Sequence, residues 1–171
     1  MLALVPTFDG KRTIPSVAVT TLMMSLLNLT PADKMLEIGT GSGSQTAMWA
    51  SSGATIHSVE LEPWIDSTKV TGDYIFLHAG DGSDGLPGES PFTAIAACCG
   101  IEQIPRAWNE QLSEGGRLVA PIGDSGCQKL TLFRKRKGEL VPERIGAYVR
   151  FQMLRNPPKP GKLPYQAKNA L

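Results

Sequence analysis

Several things are scarce or missing in these 171 residues. No run of about 18 apolar residues occurs, so no transmembrane helix is expected and no membrane partner. The apolar start, residues 1–6, lacks the basic flank and the length of a secretory signal. Cysteine is limited to three residues, two of them the adjacent Cys98 and Cys99, which excludes a disulfide framework. Neither the cysteines nor the two histidines, His57 and His78, have metal-ligand spacing, so no metal is expected. Internal repeats and low-complexity tracts are absent too. These absences make the cytoplasm the default compartment. The length suits one domain with a real core. That domain is expected over residues 1–155, with 156–171 as an extended tail, because Asn156-Pro157-Pro158-Lys159-Pro160-Gly161 forbids regular structure.

Basic residues are scarce over most of the chain and then abundant. Residues 1–128 hold 6 Lys/Arg against 14 Asp/Glu, whereas 129–171 hold 11 against 2. A basic C-terminal quarter can attract nucleic acid or an acidic polypeptide. A solvated hairpin followed by a soluble tail explains the same charges with fewer assumptions.

What is present is an alternation of short apolar runs with helical patterns. Val17, Val19, Leu22, Met23, Leu26 and Leu27 recur at helical spacing, which predicts a helix over 16–28 after Pro15. Strands are predicted at 34–38, 55–59, 74–77, 92–97 and 117–120, and helices at 45–51, 63–70 and 104–112. The last of these helices is closed by Gly115-Gly116. Beyond 120 the rhythm changes to two strands, 130–134 and 146–151, joined by a Lys/Gly-rich turn. The fold class is therefore α/β: a doubly wound, Rossmann-like parallel sheet with an antiparallel edge hairpin.

The sharpest local feature is Glu37-Ile38-Gly39-Thr40-Gly41-Ser42-Gly43, where the first core strand turns into a helix. Glycines there let the backbone approach a ligand in front of free helix N–H groups. Alone, such a pattern suits dinucleotide sites and plain tight turns equally. Three further features decide between them. Glu60 ends the second core strand, placed to accept ribose hydroxyls. Gly80-Asp81-Gly82 follows the third, where an aspartate can accept from an adenine amine. No Lys follows the glycine loop and no cationic cluster awaits a pyrophosphate. A ligand carrying a sulfonium and a zwitterion calls for acids such as Glu37 instead, and S-adenosylmethionine is that ligand.

From about Thr13 to Leu154 the chain resembles the protein-L-isoaspartate O-methyltransferase family. The matching stretches are Leu29-Thr30-Pro31, the run MLEIGTGSGSQTA at 35–47, Ser58-Val59-Glu60 and Gly80-Asp81-Gly82. They continue with Pro91-Phe92, Ala94-Ile95, Glu102, Ile104-Pro105, the run from Leu112 through Pro121-Ile122-Gly123, and Val149-Arg150-Phe151. The resemblance implies a class I methyltransferase fold, S-adenosylmethionine as cofactor and an isoaspartyl peptide or protein as partner. It also implies repair: methylation of the misplaced α-carboxylate, followed by closure of the ester to a succinimide. Carried over by position, Glu37, Gly39, Gly41, Gly43 and Thr46 line the methionine end, with Thr40, Ser42 and Gln45 beside them. Glu60 with Leu61 holds the ribose, Gly80, Asp81 and Gly82 the adenine, and Cys98 touches the cofactor from the fourth strand.

This sequence also departs from the family. Thr13-Ile14-Pro15-Ser16 stands where a Thr-Ile-Ser segment supplies a substrate-contacting serine. Pro15 holds the serine's place, so Thr13, Ile14 and Ser16 are the substrate candidates, with Ser16 in the catalytic position only if the segment shifts by one residue. Ser44 replaces a larger residue, Thr93 an aspartate, and the stretch from Glu60 to Asp81 is short. An altered acceptor, nucleic acid among them, or a non-catalytic S-adenosylmethionine-binding domain are the alternatives. Asn156-Pro157-Pro158-Lys159 is similar to the motif of amino-methylating nucleic-acid methyltransferases, but it follows the wrong strand and lacks the aromatic, so it reads as a tail turn.

Overall fold

A computed structural model describes residues 4–6, 13–61, 70 and 72–155. The helix expected at 63–70 and the tail at 156–171 lie outside the described residues, apart from Val70. The chain runs β1 (Leu4–Pro6), β2 (Thr13–Pro15), α1 (Val17–Leu27), β3 (Lys34–Ile38), α2 (Ser44–Ala50), β4 (Thr55–Glu60) and β5 (Ile75–Ala79). It continues with β6 (Phe92–Ala97), α3 (Arg106–Gln111), β7 (Leu112–Gly123), β8 (Gln128–Arg136) and β9 (Glu139–Val149). β1 and β2 pair as a separate antiparallel hairpin.

The seven-stranded sheet has the order β5-β4-β3-β6-β7-β8-β9. β5 through β7 are mutually parallel, and β8 and β9 run antiparallel at one edge. This is the doubly wound sheet with an edge hairpin that the sequence implied. The chain leaves β3 towards β4 on one side and returns to β6 on the other, so the carboxyl end of β3 is the topological switch point where ligands bind. The sheet is buried on both faces. α1 and α2 cover Met35, Ile56, Ala94 and Val119 on one side. Trp108 of α3 packs with Leu36, Ile95 and Leu118 on the other. Trp49 and Trp108 are fully buried, which makes them packing residues.

Local chemistry sets the element ends. Ser16 caps α1 by accepting the Val19 N–H, and Asn28 closes it in the left-handed conformation. Val17, counted in the apolar stripe, is instead 73% exposed at the first turn. Gly115 does not close α3; it adopts φ 75° inside β7, where the register against β6 slips between Phe92 and Ala94. A glycine in a strand interior marks such a bulge, and the pattern of Gly-Gly after a helix was ambiguous with a cap. The hairpin strands are longer than expected because the turn needs only Lys137 and Gly138, both at positive φ. Pro142 is tolerated because β9 is an edge strand.

Thr93 sits at the opposite end of the sheet from the switch point. Its hydroxyl donates to Asp33 (2.7 Å) and accepts the Lys34 N–H (3.0 Å), while Asp33 pairs with Arg117 at 2.5 Å. Burial pushes the Asp33 carboxyl up, but its bonds to Thr93 and Thr30 and the Arg117 charge outweigh that and hold it below its ordinary value. Asp33 thus supplies, from the turn just before β3, the acid that Thr93 lacks.

Candidate cofactor and acceptor site

A cleft open to solvent lies at the carboxyl ends of β3, β4 and β6. The glycine loop forms its floor: Gly39, Gly41 and Gly43 all take positive φ, at 92°, 55° and 77°. A Cβ on Gly41 would meet nothing within 4 Å, whereas one on Gly43 would lie 2.0 Å from a Val70 methyl. Gly41 therefore opens onto the cleft, and Gly43 is buried where the loop enters α2.

Of the cofactor candidates, Gly39, Thr40, Gly41, Ser42, Gln45, Glu60, Leu61, Gly82 and Cys98 line the cleft. Glu60 turns its carboxylate back on the loop: Oε2 accepts the Gly41 N–H (2.9 Å) and Oε1 the Leu61 N–H (3.0 Å). Both bonds draw on groups at the rim, so Glu60 is held at the mouth with lone pairs to spare. Gly43 and Thr46 support the loop without lining the cleft. Gly80 and Asp81 also stand outside the lining; the Asp81 carboxylate accepts the Ser83 N–H (2.9 Å) and so shapes the turn that presents Gly82. The Gly82 carbonyl accepts from the Trp108 indole (2.7 Å).

Glu37 lies under the cleft wall, fully buried. Thr46 Oγ1 (2.5 Å) and Ser58 Oγ (2.6 Å) donate to Oε2, Trp49 Nε1 (2.9 Å) and Cys98 Sγ (3.5 Å) to Oε1. Burial raises its carboxyl to about 7, against the pull of these four bonds. Cys98 and Cys99 face the cleft as neutral thiols. Burial and the Glu37 charge push Cys98 well up, and burial with the Glu60 charge pushes Cys99 up to about 12. Neither is a nucleophile at neutral pH.

β2 forms a further side of the cleft. Ile14 and Pro15 line the cleft, while the Ser16 hydroxyl points to the start of α1. Only the backbone of Thr13 is described, paired with Pro6. Replacing Ser16 with Ala is expected to lower stability by about 1 kcal/mol through the lost cap and to leave turnover within about twofold; thermal melting and initial rates check both. Ser44 is exposed, its hydroxyl on Ser42 at 2.9 Å.

Sequence reasoning missed Pro15, Ile38, Val59, Cys99 and the 152–155 segment, all of which line the cleft. Residues 151–155 fold back over the end of β6: the Gly100 N–H donates to the Gln152 carbonyl (2.9 Å) and the Leu154 N–H to that of Gly100 (2.8 Å). Gln128, fully buried, anchors them by accepting the Phe151 N–H (2.6 Å) and donating to the Asp124 carbonyl (2.5 Å). Gln128 opens β8 two residues before the strand predicted at 130–134, so no periodic signal marked it. His57 and His78, each without a partner in the linear pattern, meet across β4 and β5 with ring nitrogens 3.2 Å apart and stacked rings. Among the described residues no group of three or more His, Cys, Asp or Glu could hold a metal.

Residues 4–156 match the family described as protein-L-isoaspartate(D-aspartate) O-methyltransferase. The chain belongs to this family. It is 38% identical over 147 residues to the protein-L-isoaspartate O-methyltransferase of Trichlorobacter lovleyi, covering 82% of this chain and 68% of that one. The enzyme of Methanoculleus marisnigri is 40% identical, with 80% and 66% covered. A solved protein-L-isoaspartate O-methyltransferase superposes with a TM-score of 0.79 at 26% identity, covering 91% of this chain and 53% of that one. A putative family member from Plasmodium falciparum, in complex with S-adenosyl-L-homocysteine, has the same fold, with a TM-score of 0.73 at 20% identity and 91% and 81% covered. The chain thus spans about two thirds of the length of these curated relatives and about half of the first solved structure.

The family's fold, that of class I S-adenosylmethionine-dependent methyltransferases, is the one found here. Three of the basic hairpin residues are occupied with the fold itself: Arg134 and Arg136 pair with Glu143, and Lys135 Nζ donates to the carbonyls of Asn109 and Leu112. No helix of the described residues is long and apolar enough to cross a membrane.

Proposed function

We propose that this chain is an S-adenosylmethionine-dependent carboxyl O-methyltransferase acting on isoaspartyl residues of peptides or proteins in the cytoplasm, with its methyltransferase domain over residues 1–155. The observation that carries this reading is the pairing of Glu60 with the glycine loop at the switch point: an acid held at the rim by the Gly41 N–H, with Gly41 open to the cleft. A carboxylate acceptor held there suits the hydroxyl donors of a ribose on an uncharged linkage. Among the described residues Arg155 is the only basic side chain lining the cleft, so a pyrophosphate finds no cationic cradle.

S-adenosylmethionine supplies an electrophilic methyl group. The chain's own work is to hold and to exclude. Glu60 with Leu61 takes the ribose, the Thr40–Ser42 stretch of the glycine loop borders the methionine end, and Gly82 with its turn borders the adenine. The Gly39, Gly41 and Gly43 N–H groups are already engaged by Val59, Glu60 and Thr40. An acceptor carboxylate is already ionised at neutral pH, so no general base is needed. Alignment of carboxylate, methyl carbon and sulfur provides the acceleration. Because burial keeps Cys98 and Cys99 protonated, the thiols beside the cofactor do not compete for the methyl group. Ile14 and Pro15 give the acceptor a wall without hydroxyl or proline N–H, so its backbone contacts rest on other residues. The reading is tested by methyl transfer from labelled S-adenosylmethionine to an isoaspartyl peptide, scored as base-labile methanol. Turnover supports it; none, with the cofactor bound, contradicts it.

A further inference from the structure

His57 and His78 lie 21 residues apart, and nothing in the linear pattern makes them a pair. The sheet does. β4 and β5 run parallel with His57 opposite Phe76 and Val59 opposite His78, so period-two alternation puts all four side chains on one face. The two imidazoles meet diagonally, His57 Nδ1 3.2 Å from His78 Nε2, with their planes 17° apart. Phe76 and Phe92 flank the His57 ring at centroid distances of 4.9 and 5.9 Å and fix its orientation. Phe76 itself is 45% exposed, so solvent reaches this face.

The other edge of the His57 ring is occupied as well. Glu89, at the end of a 3-10 turn at Pro87–Glu89, brings Oε2 to 3.9 Å from His57 Nε2 and to 3.6 Å from Lys34 Nζ. A carboxylate beside Nε2 draws the ring proton to that nitrogen and leaves the Nδ1 lone pair facing His78. Metal-ligating histidines are oriented by a carboxylate in this same way. Burial holds His57 below its ordinary value despite the Glu89 charge, so at neutral pH the ring presents that lone pair. Two imidazole nitrogens bonded to one zinc ion at about 2.0–2.1 Å and a tetrahedral angle stand about 3.3–3.4 Å apart. The 3.2 Å between these two nitrogens needs only a small rotation of the rings to match.

We propose that His57 Nδ1 and His78 Nε2 form a chelating site for one divalent cation of the zinc or copper class, with Glu89 as the positioning residue. Imidazole pairs suit these ions, whereas magnesium and calcium take oxygen ligands. The cation replaces the proton that the facing nitrogens share. That proton moves to His78 Nδ1, so both rings stay neutral and no proton is released. Among the described residues no third His, Cys, Asp or Glu converges there, so water completes the coordination. β5 is the edge strand and leads into the Gly80-Asp81-Gly82 turn, so the ion clips that edge to β4. The site is independent of the methyl-transfer reading.

The test is calorimetric titration of the full chain with Zn2+ in the presence of a phosphine reductant. One ion per chain at micromolar affinity is expected, and the melting midpoint should rise with Zn2+ concentration and return on adding a chelator. His78→Gln is expected to weaken binding at least about tenfold, and Glu89→Gln several-fold without moving the metal-free melt. Cys127→Ser, which removes an exposed thiol, should leave binding unchanged. In the Cu2+-loaded protein, paramagnetic resonance should show coupling to two imidazole nitrogens, and that spectrum decides alone if His78→Gln fails to fold. Binding weaker than about 1 mM, affinity kept within about twofold in folded His78→Gln, or a copper spectrum without both nitrogens would overturn the site. Loss of binding in Cys127→Ser would assign the ion to the thiol instead, and unchanged affinity in Glu89→Gln would remove the carboxylate from the proposal.

Discussion

Replacing Glu60 with alanine is expected to weaken binding of both S-adenosylmethionine and S-adenosylhomocysteine by about a hundredfold. A hydrogen bond to a charged group contributes about 1.5–3 kcal/mol, and a ribose diol offers two such bonds, so a loss of about 3 kcal/mol corresponds to that factor. The fold should not suffer. Glu60 is only half-buried, and the N–H groups of Gly41 and Leu61 that it now accepts can turn to water at the rim. Unchanged melting with lost affinity for both ligands marks Glu60 as a binding residue and not a structural one. Calorimetry and a thermal melt on the same sample check both halves, and affinity kept within threefold would remove Glu60 from the site.

Gln128→Leu is expected to do the reverse, lowering stability first and ligand affinity as a consequence. The carboxamide is fully buried between the end of β7 and the 151–155 segment. Leucine leaves the Phe151 N–H and the Asp124 carbonyl without their partner, and Phe151 is itself buried. The Asp124 carbonyl lies on an exposed residue and can turn to water, but the buried Phe151 N–H cannot; that costs about 1–3 kcal/mol, which for a domain of this size lowers the melting temperature by about 3–9 °C. Since Gln152, Met153, Leu154 and Arg155 form one wall of the cleft, cofactor affinity should fall several-fold as well. A melt within 2 °C of the unmodified protein would mean that the Gly100 pairings alone hold the segment.

The half of the site built from continuous sequence was readable before any coordinates. β3, the glycine loop and the start of α2 form one uninterrupted signal, an apolar run stopped by three alternating glycines. Glu60 is marked by its place at the end of the next strand. What could not be read is what depends on side-chain direction or on distant pairing. Glu37 and Ile38 are adjacent, yet period-two alternation sends Glu37 under the wall towards α2 and Ile38 into the cleft. Ser16 is one residue from the family's serine position, but the free N–H groups of α1 claim its hydroxyl. Asp81 is likewise drawn to its own turn. The 151–155 segment makes a single isolated bridge, Met153 with Gly100 just beyond β6, too short to leave a periodic trace. Gly115-Gly116 misled because glycine serves a helix end and a strand bulge equally well.

The proposed activity is most directly tested by following an isoaspartyl peptide and its normal aspartyl counterpart through incubation with the protein and S-adenosylmethionine, separating the products chromatographically. The account predicts that the isoaspartyl peptide alone is consumed, passing through methyl ester and succinimide to a mixture that includes the aspartyl form. No ester from a protein that demonstrably binds the cofactor, or equal esterification of both peptides, would contradict it.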